Sequence, residues 1–507
     1  MSMAGTKNPK GKGTSNGNGS TFVLLLLAGI AIIIMYVESM AFPSLPKVMA
    51  DFHLTSADYA LASWVITIYL IVGAVSIPVF GKMGDIYGKK KMLLIAMSIY
   101  CVAVTLTGFS DSFSDLIFGS RVPNGIYVMI GFRAFQGLGM SMFPLAFSII
   151  RDEFPREKIA VAQGIISAMF GVGTAIGFLI GGYVTDHLGW QWTYHTVVPF
   201  AVLTTILVAL TVRESPVRLK AKIDFIGAGL LAMTLVSFLV GVTEAENRGW
   251  TDSLILSLFA ISVASIVGFG YWQTRAKEPL VRPSLIKQKD IALTNAIGFM
   301  IGFAMFTANQ TIAALAGFNF HLDATEIGVL SLPVSIISLI LGPTVGFLVK
   351  RIGPKWPMVI GMLLSISGYV LLLLYHATQL QVMTGVAVMG GGMSFAMVGS
   401  INMIIISTPI HETGISTAMN MIVRTSGSVV GPAVAAVIIS EHSIFVAGQG
   451  VVPDDNAYQL IFLMSSIVMA IGVFFALFLT NKKAIPETPP EGVAERMEGV
   501  RSFKQLH

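Results

Sequence analysis

The chain has 507 residues, of which 54% are hydrophobic and only 12% charged, about half the charged share of an ordinary soluble domain. A mean hydropathy of +0.78 leaves too little polar cover for a water-facing surface, which excludes a soluble enzyme. The formal charge of +5 is scattered among short segments between apolar blocks, the pattern of a membrane protein orienting itself and not of a nucleic-acid-binding surface.

The apolar blocks run to about 20 residues, the length that crosses a hydrocarbon core of about 30 Å. In lipid the backbone must satisfy its own hydrogen bonds, so the spans are helices or a closed barrel. Continuous apolar blocks without strict alternation exclude the barrel. The fold class is therefore an all-α polytopic membrane protein. Its one cysteine, Cys101, lacks partners for a disulfide or a metal site. Gly11-Lys-Gly-Thr14 lacks the glycine spacing of a phosphate loop, and His411-Glu412 lacks the second histidine of a zinc motif. No cofactor or metal is expected.

In chain order, residues 1–21 form a Gly/Ser/Asn/Lys tail expected to be disordered. The first apolar run starts at Phe22 with no small-residue cleavage site after it, and reads as a retained anchor. Fourteen spans follow: 22–42, 59–80, 92–109, 124–150, 158–184, 193–212, 224–243, 253–272, 291–318, 325–349, 357–375, 380–406, 413–440 and 459–480. The segment Ser110–Asn124, with its apolar Leu116-Ile-Phe118, is expected either to lie along the membrane surface or to be a slack loop. Loops assigned to the inside carry Lys82, Lys89, Lys90, Lys91, Arg151, Arg156, Lys158, Arg213, Arg218, Lys220, Lys222, Arg275, Lys277, Arg282, Lys287, Lys289, Lys350, Arg351 and Lys355. Those assigned to the outside carry Lys47, Arg121 and Arg248, and are otherwise acidic or neutral. By the positive-inside rule both termini are cytoplasmic, and the protein is a multi-pass protein of the plasma membrane.

Gly81-x3-Asp85-x2-Gly88, followed by Lys89, Lys90 and Lys91, comes after span 2, and Gly346-x3-Lys350-x2-Gly353 with Lys355 repeats the spacing after span 10. This echo predicts two six-helix halves, 22–213 and 291–480, related by an axis along the membrane normal. Residues 214–290 are then a linker with two additional transmembrane helices, and 481–507 a cytoplasmic tail.

Several polar or small residues stand out within the spans. In the Gly81–Lys91 stretch, glycines permit a tight turn and Asp85 is of a type that holds exposed N–H groups at a helix start. Span 4 carries Arg133-Ala-Phe-Gln136-Gly137-Leu-Gly139; an arginine there requires a cavity or a partner. Span 5 carries Gly164, Gly173, Gly177, Gly181 and Gly182, small residues that let helices approach closely. Gly431-Pro432 lies in span 13. Glu38 is the one carboxylate well inside an otherwise apolar span, the placement expected of a group that takes up and releases a proton. It lies about 24 Å from the cytoplasmic start of span 1, and Arg133 roughly 14 Å below the outer end of span 4.

Together these motifs resemble the major facilitator superfamily, and more narrowly its fourteen-helix drug:proton antiporter branch, over residues 22–480. The resemblance implies the fold of two six-helix halves plus two inserted helices, and proton-coupled efflux of amphiphilic small molecules by alternating access. It makes Gly81, Asp85, Gly88, Lys89 and Lys90 a conformational latch, with Asp85 meeting a neighbouring helix end and favouring the outward-open state. It implicates Arg133 in proton transfer and makes the span-5 glycines an antiporter motif, with Phe178 where the motif has proline. Aligned on Leu45-Pro46, the family's acidic position falls on Val37, and Glu38 is displaced from it by about 100° around the helix.

Glu38, modulated by Arg133, is the expected proton-coupling pair. Tyr36, Tyr69, Gln136, Asn309, Gln310, Asn402 and Arg424 are candidates for the cavity wall or for substrate contact, although each aromatic is more often a packing residue. One embedded acid against Arg133 and Arg424 points to amphiphilic neutral, monocationic or anionic substrates and away from dications. The partners expected are a small-molecule substrate, protons and membrane lipid, with no nucleic acid; oligomeric state is open, with a monomer compatible. A dedicated exporter of one metabolite, lipid or siderophore is the alternative, and a non-transporting sensor or enzyme on the same fold is the alternative of another class.

Overall fold

A computed structural model describes residues 17–118, 125–154, 156–215, 223–408, 413–446 and 450–481. Most of both expected tails, Arg121, Arg218, Lys220 and Lys222 lie outside the described residues. Among the described residues thirteen helices are long and apolar enough to cross a bilayer. The helix Arg156–Leu188, without a charge between Gly164 and Val184, is a fourteenth.

The spans are helix 1 (Gly17–Asp51), helix 2 (Tyr59–Tyr87), helix 3 (Lys89–Gly108), helix 4 (Ile126–Gly137, a 3-10 turn, then Met142–Glu153), helix 5 (Arg156–Leu188), helix 6 (Trp190–His195 and Val198–Thr211), helix 7 (Phe225–Arg248) and helix 8 (Ser253–Arg275). Helix 9 (Lys289–Ala314), helix 10 (Ala324–Ile352), helix 11 (Lys355–Leu374), helix 12 (Gln379–Ser407), helix 13 (Thr413–Glu441) and helix 14 (Asp455–Leu477) complete the set. The end of the molecule bearing Lys89–Lys91 is called here the basic end, and the opposite one the acidic end.

Two expectations are corrected. Helix 1 does not stop at Phe42 but continues through Pro43 and Pro46 to Asp51. Prolines in membrane helices are tolerated where neighbours secure the backbone, and here the Trp190 indole donates to Asp51 Oδ2 at 2.9 Å. Glu38 consequently lies about 20 Å from the acidic end of its helix, deeper than a helix ending at Phe42 would put it.

Nor is Gly81–Lys91 a loop. Helix 2 runs to Tyr87 and helix 3 begins at Lys89, so Gly88 alone breaks the chain. Gly88 has φ +113°, a region that essentially only glycine occupies without strain. Gly84 serves close packing, since a Cβ there would meet the Leu145 side chain at 2.6 Å. A Cβ on Gly81 would meet nothing within 4 Å.

The echo after helix 10 has the same build. Gly353, with φ +83°, separates helix 10 from the residues that open helix 11. Two residues after each turn glycine, a lysine caps the last helix of its own half. Lys90 Nζ donates to Ala209 O of helix 6 at 2.7 Å, and Lys355 Nζ to Leu477 O and Leu479 O at the end of helix 14, both at 2.8 Å. A cation at a helix C-terminus satisfies carbonyls that the helix cannot.

The inserted pair is a hairpin docked through helix 7 on the seam between helix 2 and helix 13. Trp64 Nε1 donates to Thr243 Oγ1 at 3.0 Å, and Trp250 Nε1 to Glu441 Oε1 at 3.0 Å. Helix 8 packs on helix 7, and its Leu256, Val263 and Val267 stay exposed, as a lipid-facing surface would. Asp224 ties the basic end of the hairpin together, accepting from Gly227 N at 2.8 Å, Trp272 Nε1 at 2.6 Å and Gln273 Nε2 at 2.8 Å. Asp224 is thus both the cap of helix 7 and a tertiary link.

Two small elements complete the acidic end. Ser110–Phe118 is a short helix with Leu116 and Ile117 exposed, consistent with a surface-lying segment. Ser443–Val446 and Gly450–Pro453 form an antiparallel β-hairpin, which the sequence reading did not anticipate.

Gly88→Ala should lower stability by about 1–3 kcal/mol, the cost of holding a side chain in a glycine-only region. Gly81→Ala should stay within about 0.5 kcal/mol. Thermal unfolding of the two purified variants checks the pair; equal losses would contradict the assignment of the turn to Gly88.

Candidate functional site

Arg133 is seated by the glycines that follow it. A Cβ on Gly137 would meet Tyr69 O at 2.6 Å, and one on Gly139 the Tyr100 ring at 2.6 Å, so their absence brings helix 4 against helices 2 and 3. That approach places Arg133 Nε 2.8 Å from Val65 O, to which it donates. Its Nη1 donates to Gln136 Oε1 at 3.0 Å, and the guanidinium stands 4.5 Å from the centre of the Tyr69 ring. The side chain is fully buried, and Nη2 has no hydrogen-bond partner. Tyr69 and Gln136, also fully buried, therefore belong to the seat of Arg133 and not to an open wall.

Glu38 faces this seat from helix 1. Val37, where the family's acidic position would fall, is sealed at 0% exposure, whereas Glu38 retains 9%. The one-residue displacement thus leaves the acid on the less sealed of the two positions. Its Oε2 is buried and meets no hydrogen-bond donor. Arg133 of helix 4 and Arg424 of helix 13 both act on it electrostatically, and Tyr69 and Tyr100 share the same field. The two halves thereby converge on one carboxylate.

In the second half, Asn420 of helix 13 donates to Asn295 Oδ1 of helix 9 at 3.1 Å. One turn on, Arg424 is half-buried, and its protein contact is a donation from Nη1 to Met397 Sδ at 3.3 Å. Gln310 is sealed, with its Nε2 3.5 Å from Pro432 O and its backbone carbonyl accepting from Tyr59 OH at 3.1 Å. Tyr36 is turned towards helix 6, with its hydroxyl 3.3 Å from Thr196 Oγ1. Asn402, half-buried, donates to Val398 O of its own helix at 2.8 Å, and Asn309 is buried at 8% exposure. Of the residues proposed for a wall, Arg424 and Asn402 retain the accessible surface such a role requires.

The helix-5 glycines divide between two tasks. Cβ atoms on Gly173, Gly177 and Gly181 would strike helix 1 at Ile32 O (2.8 Å), Ser39 Oγ (2.0 Å) and Met40 Cβ (2.4 Å). Gly182 instead faces the second half, where a Cβ would lie 2.3 Å from Ala324 O; a Cβ on Gly328 of helix 10 would lie 1.9 Å from Phe178 O. The surroundings of Gly164 lie outside the described residues.

This helix 5–helix 10 contact is locked at the acidic end by a residue that the sequence presented only as one outer charge. Asp186 accepts from Ala324 N at 2.9 Å, Thr325 N at 2.6 Å and Thr325 Oγ1 at 2.5 Å. A carboxylate from one half thus caps the first turn of a helix in the other. Ala60 N to Ser440 Oγ at 3.1 Å, Ser56 Oγ to Val451 O at 2.9 Å and the Phe42–Phe306 ring contact add to the same closure. Towards the basic end, Cβ atoms on Gly342 and Gly346 of helix 10 would meet nothing within 4 Å.

At the Gly88 turn, Asp85 Oδ1 lies 3.8 Å from Lys89 Nζ. The helix-3 N–H groups of Lys90 and Lys91 are held by Glu214, at 3.1 and 3.0 Å. Sequence reasoning missed Glu214, which sits far along the chain in no motif. It foresaw the kind of bond, a carboxylate on a helix start, and named Asp85 for that role without Glu214.

A bundle of two pseudo-equivalent halves that meet on a buried charge, closed at one end, is the build of a membrane transporter. The family model described as Major Facilitator Superfamily matches residues 27–277 and 294–506, and the chain belongs to that family. It is 25% identical over 489 residues to the Multidrug transporter protein MdtP of Bacillus subtilis, covering 95% of this chain and 85% of that one. It is 28% identical over 408 residues to the Tetracenomycin C resistance and export protein of Streptomyces glaucescens, covering 78% and 72%. Among solved structures, a D-xylose-proton symporter superposes with a TM-score of 0.64 at 12% identity, covering 92% of this chain and 100% of that one. The human organic anion transporter MFSD10 superposes with a TM-score of 0.59 at 14% identity, covering 90% and 99%. At such identities the structural likeness speaks for the fold alone.

Asp186→Ala should open the acidic end. Losing bonds between a charge and a helix start, worth about 1–3 kcal/mol in sum, shifts the two-state balance by about fivefold to a hundredfold. Spin labels at Leu188 and Gln379, exposed at that end, should gain a longer-distance population in the variant; an unchanged distribution would contradict the lock.

Proposed function

We propose that the protein is a secondary exporter that exchanges protons for amphiphilic small molecules by alternating access. The observation that carries this reading is Glu38, a buried carboxylate without a hydrogen-bond donor on Oε2, facing one arginine from each half. A charge in that position is costly unless it is used. The names of the relatives, a multidrug transporter and an antibiotic export protein, support the direction and the class of cargo.

In this reading the basic end is cytoplasmic in the plasma membrane, as its excess of Lys and Arg suggests. The two rocking bodies are 22–213 and 291–480, and the closed acidic end makes the state described here cytoplasm-facing. Substrate enters between the halves while Glu38 is ionised, and its binding supports rearrangement around the helix 5–helix 10 and helix 2–helix 13 seams. Once the site faces outward, a proton takes Glu38 and displaces the substrate. The protonated, neutral residue then favours return, and proton loss to the cytoplasm resets the cycle. Arg133, held rigidly by Val65 O and Gln136, supplies a fixed positive field that tunes how readily Glu38 gives up its proton. The Gly88 turn, with Asp85, Lys89 and Lys90, acts as the latch at the cytoplasmic end.

Glu38→Gln should bring proton-driven uptake of dyes and lipophilic drugs into inverted vesicles down to background while substrate binding to the purified protein persists. Normal gradient-driven uptake by that variant would overturn the coupling role. A wild-type protein that drives none of the panel but remains folded would instead favour an exporter dedicated to one compound.

A further inference from the structure

We infer that Arg424 is a specificity-determining residue, and that the preferred substrates are amphiphiles carrying both an acidic oxygen and a hydrogen-bond donor group. The inference rests on the exporter reading and names its substrate class. Of the two arginines facing Glu38, Arg133 is fully buried, with Nε and Nη1 committed to Val65 O and Gln136 and its face against Tyr69. Arg424 is half-buried, its protein contact is the weak acceptor Met397 Sδ, and its other N–H groups are not among the sealed, unpartnered atoms. Among the described residues, the carboxylates of the second half, Asp323, Glu326, Glu441, Asp454 and Asp455, and Asp290 at the start of helix 9 fall at helix ends, so none of these stands midway along helix 13 to neutralise Arg424. A guanidinium with open N–H groups in a low-dielectric interior is a site for a carboxylate, enolate or phenolate oxygen.

Exchange adds a second condition. A purely anionic cargo would bind better when Glu38 is protonated, so by linkage cargo and proton would travel together. Exchange requires the two to compete, and they compete when the cargo places an ammonium or hydroxyl donor on the ionised Glu38. Glu38 keeps 9% exposure, and its Oε2, sealed in this state, has no donor, so the carboxylate has an unused acceptor for such a bond. The cargo thus spans Glu38 in the first half and Arg424 in the second, and reports to both halves whether the site is filled.

The test is equilibrium binding to the full-length protein in lipid nanodiscs at neutral pH, using three matched pairs: a zwitterionic fluoroquinolone and two other amine-bearing aromatic acids, each with its methyl ester. Wild-type protein should bind the acids about tenfold or more tighter than the esters, the worth of one charge-assisted pair of bonds. Arg424→Gln should erase that preference by weakening the acids to the level of their esters, and Arg424→Lys should keep part of it. Equal affinity for acid and ester in all three pairs, no binding of any acid, or a preference that survives Arg424→Gln would overturn the inference. The wild-type comparison stands by itself if Arg424→Gln fails to fold. Binding needs no gradient, so proton-driven transport of the esters in vesicles tests the exporter reading separately.

Discussion

Charge placed on helix ends is the interaction on which this molecule depends. Each helix leaves N–H groups at its start and carbonyls at its end without intrahelical partners, and a side chain of the right charge binds them more strongly than a neutral one. Carboxylates answer the first need: Asp224 at helix 7, Asp252 at helix 8, Asp323 at helix 10, and Glu214 reaching from the far end of its half to helix 3. Lysines answer the second, Lys90 at helix 6 and Lys355 at helix 14. A helix cap usually belongs to the helix it serves. Asp186 differs because it caps a helix of the other half, and a structural bond of ordinary kind thereby becomes a closure.

The two halves share this scaffold and differ in what it encloses. Glycines of helix 5 meet helix 1 as Gly427 and Gly431 of helix 13 meet Phe299 and Phe303 of helix 9. The turn glycines Gly88 and Gly353 and the lysines two residues beyond them correspond position by position. Inside, the correspondence stops. The first half holds Glu38 and a rigidly seated Arg133, and the second holds Arg424 with a thioether for company. A shared frame with unlike contents lets the ends alternate while one site in the middle does chemistry that neither half has by itself.

The spans, the two-half repeat and the unusual standing of Glu38 could be read in the sequence because they rest on hydrophobic length, on spacing and on the rarity of buried charge. Helix 1 was read short because hydrophobic length marks the part that crosses the bilayer and not the end of the helix, which runs on through Pro43 and Pro46 to Asp51. The Gly81–Lys91 stretch was read as a loop because glycine, aspartate and lysine together signal a turn; the turn is a single residue. Tyr69 and Gln136 looked like cavity residues, yet they surround a guanidinium, a relation set by how closely helices 2 and 4 approach. Asp186 and Glu214 were illegible as partners, since each bond joins residues more than a hundred positions apart and no local pattern encodes it.

What the interior charges do together is a matter of linkage. A carboxylate that exchanges a proton for a cargo must lose that proton when cargo binds and regain it when cargo leaves. The most direct measurement is therefore the number of protons released when a transported compound binds to the purified protein in weakly buffered solution at neutral pH, with Glu38→Gln as control. The account predicts proton release by the wild type on binding and none by the variant. Equal release by both proteins, or binding to the wild type with no proton released across the neutral pH range, would contradict it.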